Sequence, residues 1–197
     1  IRLLKPRSSE PRPCLFIDRD GTMIIEKHYL KDPEYVVLEK GAIDLLQKAH
    51  EYQYHIVIVT NQSGIGRGYF GWLEYEKVTD RLIELCDQNC LLSGIYANSC
   101  HPDSVHNDWR KPNPGMLFRA MQDLNIDMKK SIFVGDRESD ILAGINAGVG
   151  RIIHVLTGHG MEEKDAVMKL TSMDLTNQSI KLEQKTGIWE IRLNEVI

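Results

Sequence analysis

The sequence predicts an α/β fold with a doubly wound, Rossmann-like and mostly parallel sheet. Four short apolar runs, at residues 14–17, 56–59, 132–134 and 152–156, are rich in valine and isoleucine, as is typical of strands buried on both faces. Segments with a helical spacing of apolar residues lie between them, at 42–52, 73–89, 116–124 and 141–147. This alternation indicates a parallel sheet covered by helices on both faces, without a large cap domain.

The order of these segments predicts a single domain over residues 1–197. Its core spans about 14–158, and a C-terminal extension at about 159–197 completes the sheet. A short strand is expected at 95–97, a last strand near Trp189 and the start of a closing helix at 193–197. The insert between Thr22 and Ala42 is too short for a separate helical cap domain.

Composition disfavours several classes of protein. With 42% hydrophobic residues the chain can form a core, and a net charge of −4 without a basic block argues against a nucleic-acid partner. No apolar run is long enough to cross a membrane, and residues 1–16 lack the apolar core of a signal peptide. The cysteines, Cys14, Cys86, Cys90 and Cys100, do not have the spacing of a disulfide framework. We expect a reduced, cytoplasmic protein that is monomeric.

Acidic residues follow two of the predicted strands. Asp18 and Asp20 come directly after the run at 14–17, and Asp136 follows the run at 132–134. Ligands of doubly wound sheets bind beyond the carboxyl ends of the strands, so these carboxylates are predicted to face one crevice. Two carboxylates suit Mg²⁺, which prefers oxygen ligands. Asp18 is then a candidate nucleophile towards phosphorus, and Asp20 a candidate proton donor and acceptor.

A hydroxyl and a lysine complete this pattern. Thr60 ends the second strand, and Lys111 lies in a loop before the third, where each can bind the oxygens of a phosphate. Pro112 favours an extended backbone at Lys111. Asn113 and Pro114 are predicted to cap and begin the following helix, which would fix the approach of the lysine.

The ordered set of residues resembles the haloacid dehalogenase superfamily of phosphohydrolases. The set is Asp18-x-Asp20-Gly21-Thr22, then Thr60, then Lys111, then Gly135-Asp136-x-x-x-Asp140. The resemblance implies a phosphatase in which Asp18 becomes phosphorylated and Asp20 is the general acid and base. It also implies Mg²⁺ held by Asp18, the backbone carbonyl of Asp20, and Asp136.

The same resemblance assigns roles to the remaining polar residues. Thr60, Arg110 and Lys111 are expected to hold the phosphoryl group. Arg137 and Asp140 are expected to support the metal ligands without touching the ion.

Residues 16–22, 59–68 and 110–116 resemble most closely the family of heptose bisphosphate phosphatases. That resemblance implies hydrolysis of the C7 phosphate of D-glycero-D-manno-heptose 1,7-bisphosphate, in the synthesis of activated heptose for lipopolysaccharide core or surface glycans. The expected substrate contacts are Glu26, Lys27, His28, Tyr29, Thr60, Asn61, Gln62, Ser63, Arg110 and Lys111. A histidinol-phosphate phosphatase, or another phosphatase of small sugar phosphates, is the alternative. Ser63 argues against the histidinol-phosphate enzymes, which usually have aspartate there.

One loop departs from the family pattern. Relatives often carry a zinc loop with four ligands, whereas only Cys100, His101 and His106 stand in the corresponding segment here. A structural zinc site needs four ligands, mostly thiolates, so no zinc is expected.

Two other kinds of protein share part of the pattern. A phosphate-accepting receiver domain also carries acidic residues, a threonine and a lysine, but in a different order along the chain. A dinucleotide-binding enzyme needs Gly-x-Gly-x-x-Gly, whereas residues 64–68 read Gly-x-Gly-x-Gly and are expected to form a flexible substrate loop.

Overall fold

The computed structural model describes residues 1–86, 91–105, 107–171 and 180–193. In this part of the chain the strands are β1 (Arg2–Leu3), β2 (Cys14–Ile17), β3 (His55–Asn61), β4 (Gly94–Asn98), β5 (Ile132–Gly135), β6 (Arg151–Val155) and β7 (Lys181–Lys185). The α-helices are α1 (Ala42–Glu51), α2 (Ser63–Gly66), α3 (Trp72–Cys86), α4 (Gly115–Leu124), α5 (Glu138–Asn146) and α6 (Gly160–Thr171). Short 3₁₀ turns lie at Pro33–Tyr35, Met128–Lys130 and Ile188–Glu190.

The strands form one sheet in the order β1-β4-β3-β2-β5-β6-β7. Every neighbouring pair is parallel except β1 and β4, which confirms the predicted doubly wound fold. From β2 the chain builds β3 and β4 on one side, and later β5, β6 and β7 on the other. The direction of winding therefore changes beside β2, and ligands of such sheets bind at the carboxyl ends of the strands around this point.

The two faces of the sheet are covered by different helices. Within β2, Leu15 and Ile17 face a core shared with α1 and α3, whereas Cys14 and Phe16 face a core shared with α4, α5 and α6. All four side chains are fully buried, because a central strand has a helix layer on each side. Each such side chain stabilises the fold by about 1.5–3 kcal/mol when it is buried. The central strands are thus a rigid base for residues at their carboxyl ends.

Helix α4 begins one residue later than predicted. Pro114 is its N-cap, and Asn113 instead donates a hydrogen bond from Nδ2 to the carbonyl of Asn107 at 3.0 Å. The prediction that Asn113 caps the helix is therefore wrong, because its amide satisfies the preceding loop. The helix ends at Asn125, whose left-handed backbone (φ 63°) stops it.

The prediction of a last strand near Trp189 is wrong. The strand lies earlier, at Lys181–Lys185, and pairs in parallel with β6, whereas Trp189 lies in a 3₁₀ turn. The apolar residues Ile188 and Ile191 are buried against the α1 side of the core, so their hydrophobicity reflects a packed turn. Residues 193–197 were predicted to begin a helix, and 194–197 lie outside the described part.

Two further predictions concern the segments that contain helices α2 and α3. The glycine-rich segment predicted as a flexible loop begins with the one-turn helix α2, which follows β3 almost directly. Helix α3 was predicted to reach residue 89, and residues 87–90, with Cys90, lie outside the described part. Among the helices that the structure describes, none has the length and apolar composition needed to cross a membrane.

Candidate active site

A cavity of about 330 Å³ lies at the carboxyl ends of β2 and β3. Its walls combine acidic, basic and hydroxyl-bearing side chains with the start of α2. The residues that line it are Asp18, Arg19, Asp20, Glu26, His28, Tyr29, Leu30, Thr60, Asn61, Gln62, Ser63, Gly64, Arg67, Pro102, Arg110, Lys111, Arg137, Ser139, Asp140 and His159. Nearly all residues predicted for the site therefore meet at one place. Asp136 is fully buried and does not line the cavity, and the exposed Lys27 does not line it either.

Lys111 lies at the base of the cavity and is fully engaged by the protein. Its Nζ donates to Asp18 Oδ1 at 2.5 Å and to the carbonyl of Val59 at 2.7 Å, and it lies 2.7 Å from Asp140 Oδ1. An ammonium has three N–H donors, so these three acceptors use all of them. Burial lowers the pKa of Lys111, but the carboxylates of Asp140 and Asp18 outweigh it and leave this pKa above its ordinary value. The lysine is therefore a fixed positive charge.

Three carboxylates share that single charge. One carboxylate oxygen from each of Asp18, Asp136 and Asp140 lies within 4.8 Å of the others. Burial raises the pKa of Asp18 to about 7, despite the opposing effect of Lys111. Burial, followed by the charges of Asp18 and Asp140, raises the pKa of Asp136 to about 8. The single positive charge of Lys111 does not balance three carboxylates, so the cluster can accept a further cation. Its carboxylate oxygens are hard donors, the ligand type that Mg²⁺ prefers, and the residues present therefore fit that cation.

Asp136 is held by several groups packed around it. Its Oδ2 accepts from the backbone N–H of His159 at 2.8 Å, and its Oδ1 accepts from Thr22 Oγ1 at 3.3 Å. Two glycines with left-handed backbones, Gly21 (φ 84°) and Gly158 (φ 53°), pack against the same carboxylate. A Cβ at either would lie 2.5 Å or less from Asp136 Oδ2, so only glycine fits these positions.

The carboxylate of Asp20 is hydrogen-bonded by Arg19, its neighbour in the chain. Arg19 is buried, with its guanidinium over the ring of Tyr75, and donates from Nε and Nη2 to the two oxygens of Asp20 at 3.0 and 3.1 Å. Gln62 Nε2 donates to Asp20 Oδ2 and also to Thr60 Oγ1, both at 2.8 Å. This network fixes the Asp20 carboxylate and the Thr60 hydroxyl at the same wall of the cavity.

Asn61 positions the loop that carries the lysine. Its side-chain amide donates to the carbonyl of Lys111 at 3.0 Å and accepts from the Lys111 N–H at 3.1 Å. The pair of bonds ties the end of β3 to the backbone of a residue fifty positions away. The structure therefore gives Asn61 a positioning contact that the sequence did not predict.

The outer wall of the cavity is basic. Arg67, Arg110 and Arg137 line it together. Burial, followed by the charges of Arg67 and Arg137, lowers the pKa of Arg110. Within the described ranges, neither Arg67 nor Arg110 forms an ion pair with a carboxylate. Such a group of arginines is suited to bind a second anionic group of a molecule in the cavity.

The structure also places residues behind the site that the sequence did not single out. His154 is fully buried, its Nε2 lies 3.0 Å from the carbonyl of Asp136, and its Nδ1 lies 3.0 Å from Gln184 Nε2. The last described strand, β7, is thus linked to the backbone of Asp136 through His154. The sequence shows a histidine in a strand, but not its partner thirty residues later.

The segment with Cys100 and His101, which corresponds to the zinc loop of relatives, lies beside the cavity. Cys100 Sγ accepts from Asn98 Nδ2 at 3.6 Å, and His101 Nδ1 accepts from the N–H of Asp103 at 3.2 Å. Neither residue belongs to a group of three potential metal ligands within the part of the chain that the structure describes. His106 lies outside the described residues.

Similar proteins support the assignment of a family. The family model described as polynucleotide kinase 3 phosphatase matches residues 14–184. A protein of Escherichia coli strain K12 named D-glycero-beta-D-manno-heptose-1,7-bisphosphate 7-phosphatase is 37% identical over 183 residues, 88% of this chain and 96% of that protein. A protein of Mesorhizobium japonicum with the same name is 38% identical over 146 residues, 71% of this chain and 67% of that one. This chain belongs to the heptose bisphosphate phosphatase family of the haloacid dehalogenase superfamily.

Solved structures agree with this membership. A putative HAD-like phosphatase from Mesorhizobium loti is 35% identical, with a TM-score of 0.72 and coverage of 78% of this chain and 77% of that one. The D,D-heptose 1,7-bisphosphate phosphatase of B. bronchiseptica, complexed with magnesium and phosphate, has a TM-score of 0.75 at 22% identity and covers 90% of this chain and 94% of that one. At 22% identity, the second comparison shows that the two proteins share a fold.

Proposed function

We propose that this chain is a Mg²⁺-dependent phosphatase that removes the C7 phosphate of D-glycero-D-manno-heptose 1,7-bisphosphate. One observation carries the proposal: an aspartate paired with a buried lysine lies beside two further carboxylates, at the base of a cavity with a basic outer wall. The base suits a cation and the phosphoryl group that reacts. The outer arginines suit the second phosphate of a bisphosphate, and the relatives carry the name of such an enzyme.

The residues of the site account for both halves of the hydrolysis. An oxygen of Asp18 attacks phosphorus and the bond to the C7 oxygen breaks, while Asp20 donates its proton to that leaving oxygen. Asp20 then accepts a proton from water as the water oxygen attacks phosphorus. The bond to Asp18 breaks, which releases phosphate and restores both carboxyl groups.

Other groups hold the reactants in place. Thr60 offers a hydroxyl donor at the wall, and Lys111 fixes Asp18 through its Nζ. Asp18, the carbonyl of Asp20 and Asp136 are the groups that would hold Mg²⁺. When bound, that ion offsets the negative charge that the phosphoryl group shares with the carboxylates.

Phosphate release from several compounds tests the proposal. We expect the β anomer of the heptose bisphosphate, with Mg²⁺, to be hydrolysed faster than the α anomer, histidinol phosphate and a DNA 3′-phosphate. Asp18→Asn should abolish turnover, whereas Asp44→Asn, an exposed acid in α1, should not. Faster hydrolysis of histidinol phosphate would favour the alternative function, and turnover by Asp18→Asn would remove Asp18 from the reaction.

The outer arginines provide a second test. Arg67→Ala should raise KM for the bisphosphate by about 10- to 100-fold, the value of one or two charge-assisted hydrogen bonds. It should change KM for a hexose monophosphate much less, since that substrate lacks the second phosphate. Equal effects on both substrates would contradict a second phosphate at this wall.

The remaining expectations belong to the same proposal. We propose a single domain over residues 1–197 that works as a cytoplasmic monomer, without a nucleic-acid partner, in the synthesis of activated heptose. Cys14, Cys86 and Cys100 are free thiols, as a reducing compartment would maintain. Size-exclusion chromatography with light scattering tests the monomer directly.

A further inference from the structure

We propose that Glu26, His28 and His159 form a second cation site, at the mouth of the cavity, for a borderline divalent metal such as Zn²⁺. One potential ligand atom from each of these residues lies within 4.8 Å of the others. The three residues line the same cavity as Asp18 and Asp140 but form a group separate from the acidic cluster.

The distances allow coordination after a small movement. Zinc binds imidazole nitrogen and carboxylate oxygen at about 2.1 Å, so two ligands of one ion lie at most about 4.2 Å apart. Glu26 Oε1 and His28 Nδ1 are already 3.8 Å apart. The side chain of His28 is 83% exposed, so it can rotate towards the half-buried Glu26 and His159 without disturbing the core.

His159 provides the observation that points to a ligand. Its Nε2 is buried and has no hydrogen-bond partner among the described residues. Its Nδ1 lies 3.3 Å from Glu162 Oε2, which favours the tautomer that carries its proton on Nδ1. The Nε2 lone pair is then free to bind a cation. A carboxylate behind a histidine is also the arrangement that orients histidine ligands in metal sites.

The donor set decides the class of metal. Imidazole nitrogens suit zinc, copper and nickel, whereas magnesium prefers oxygen ligands. Two histidines and one glutamate are a ligand set that zinc uses when further positions stay open. The backbone around His28 is also constrained: His28 (φ 39°) and Tyr29 (φ 53°) are both left-handed, and Glu26 Oε1 accepts from the His28 N–H at 2.8 Å. These contacts keep Glu26 and His28 together on one turn.

Binding of Co²⁺ and Zn²⁺ to the purified protein tests this site without any substrate. The titrations are done by absorption spectroscopy and calorimetry in excess Mg²⁺, so that the acidic cluster is saturated with its preferred cation. We expect one equivalent of Co²⁺ to bind, with visible bands typical of nitrogen ligands, and Zn²⁺ to displace it. His28→Ala and His159→Ala should each weaken binding at least 10-fold, and Glu162→Ala by about 10-fold through loss of the orienting carboxylate.

Matched controls locate the binding. His50→Ala, an exposed histidine remote from the cavity, should leave the affinity unchanged. Loss of Co²⁺ binding in Cys100→Ser, with retention in His28→Ala and His159→Ala, would place the metal in the neighbouring loop and overturn the proposal. No binding by the folded wild-type protein would overturn it as well. Because no phosphatase reaction is measured, either result is independent of the proposed function.

Discussion

Asp136→Asn is expected to make the metal-free protein more stable while it abolishes the response to Mg²⁺. Burial and neighbouring carboxylates raise the pKa of Asp136 from 3.8 to about 8. A carboxyl whose pKa is raised by folding favours the folded state below its unfolded pKa, and this contribution is lost as the pH rises towards the folded pKa. The metal-free wild type should therefore lose stability as the pH rises from about 4 to 8.

The size of the effect follows from the pKa values. Compared with a carboxyl whose pKa does not change on folding, Asp136 lowers the free energy of unfolding at pH 7.5 by about 5 kcal/mol, at about 1.36 kcal/mol per pKa unit. Asparagine keeps an acceptor for the His159 N–H and can donate to Thr22, but burial of its amide takes back about 2 kcal/mol. A net gain of about 3 kcal/mol raises Tm by about 6–12 °C in a protein of this size.

Urea and thermal denaturation at pH 5 and 7.5, with EDTA or Mg²⁺, measure this directly. Mg²⁺ at 100 times its Kd should stabilise the wild type by about 2.7 kcal/mol and leave Asp136→Asn unchanged. The gain of the metal-free variant should be large at pH 7.5 and small at pH 5. A metal-free variant less stable than the wild type at pH 7.5 would refute the raised pKa of Asp136, and a variant still stabilised by Mg²⁺ would refute its assignment to the cation.

Three further changes test the groups around the cluster. Arg19→Lys replaces the two hydrogen bonds from the guanidinium to Asp20 with a single point charge. We expect kcat to fall about 10- to 100-fold and the pH profile to shift, with KM nearly constant. An unchanged kcat would show that the contact is only structural. Gln184→Ala removes the hydrogen bond that orients the histidine beneath the cluster and should weaken Mg²⁺ activation about 10-fold, whereas an equal Mg²⁺ dependence would exclude this role. Gly158→Ala should destabilise the protein by about 1–3 kcal/mol and abolish activity, because its Cβ would collide with Asp136. Gly148→Ala, at a left-handed φ of 71° with only Lys129 Nζ within 4 Å and away from the cavity lining, is the control and should keep activity.

The central strands were predictable from sequence because burial on both faces selects a continuous run of apolar residues. The edge strands were not. Strand β7 reads Lys-Leu-Glu-Gln-Lys, and its stability depends on partners: Arg151 donates to both oxygens of Glu183 at 2.8 and 3.0 Å. Burial acts to raise the pKa of Glu183, but the bonds from Arg151 and the contact with Lys181 outweigh burial and lower this pKa to about 2. An edge strand held by ion pairs carries no hydrophobic pattern that a sequence could show.

The sequence was sufficient to predict which acidic, hydroxyl and basic residues form the site and that they lie at the ends of the strands. Residues at the carboxyl ends of parallel strands lie at the same edge of the sheet. Their partners were not predictable. Arg19 reads as a spacer between two aspartates, yet it holds Asp20, and Asn61 reads as a substrate contact, yet it binds the backbone of Lys111. A hydrogen-bond partner depends on side-chain direction and on loops that meet only after folding, and neither leaves a pattern along the chain.

The arrangement of charges also constrains how phosphate and cation share the site. Lys111 gives its three donors to Asp18, Asp140 and Val59, so it has none left for a phosphate unless one of these bonds breaks. The lysine therefore offsets the carboxylates first, and it does so incompletely, since the pKa values of Asp18 and Asp136 remain raised. As the pH rises and these carboxyls ionise, a dianionic phosphoryl group would meet growing negative charge at the base of the cavity, whereas a divalent cation would be attracted. We therefore expect a divalent cation held by Asp18 and Asp136 to strengthen the binding of phosphate, because it would offset the negative charge that the lysine leaves uncompensated.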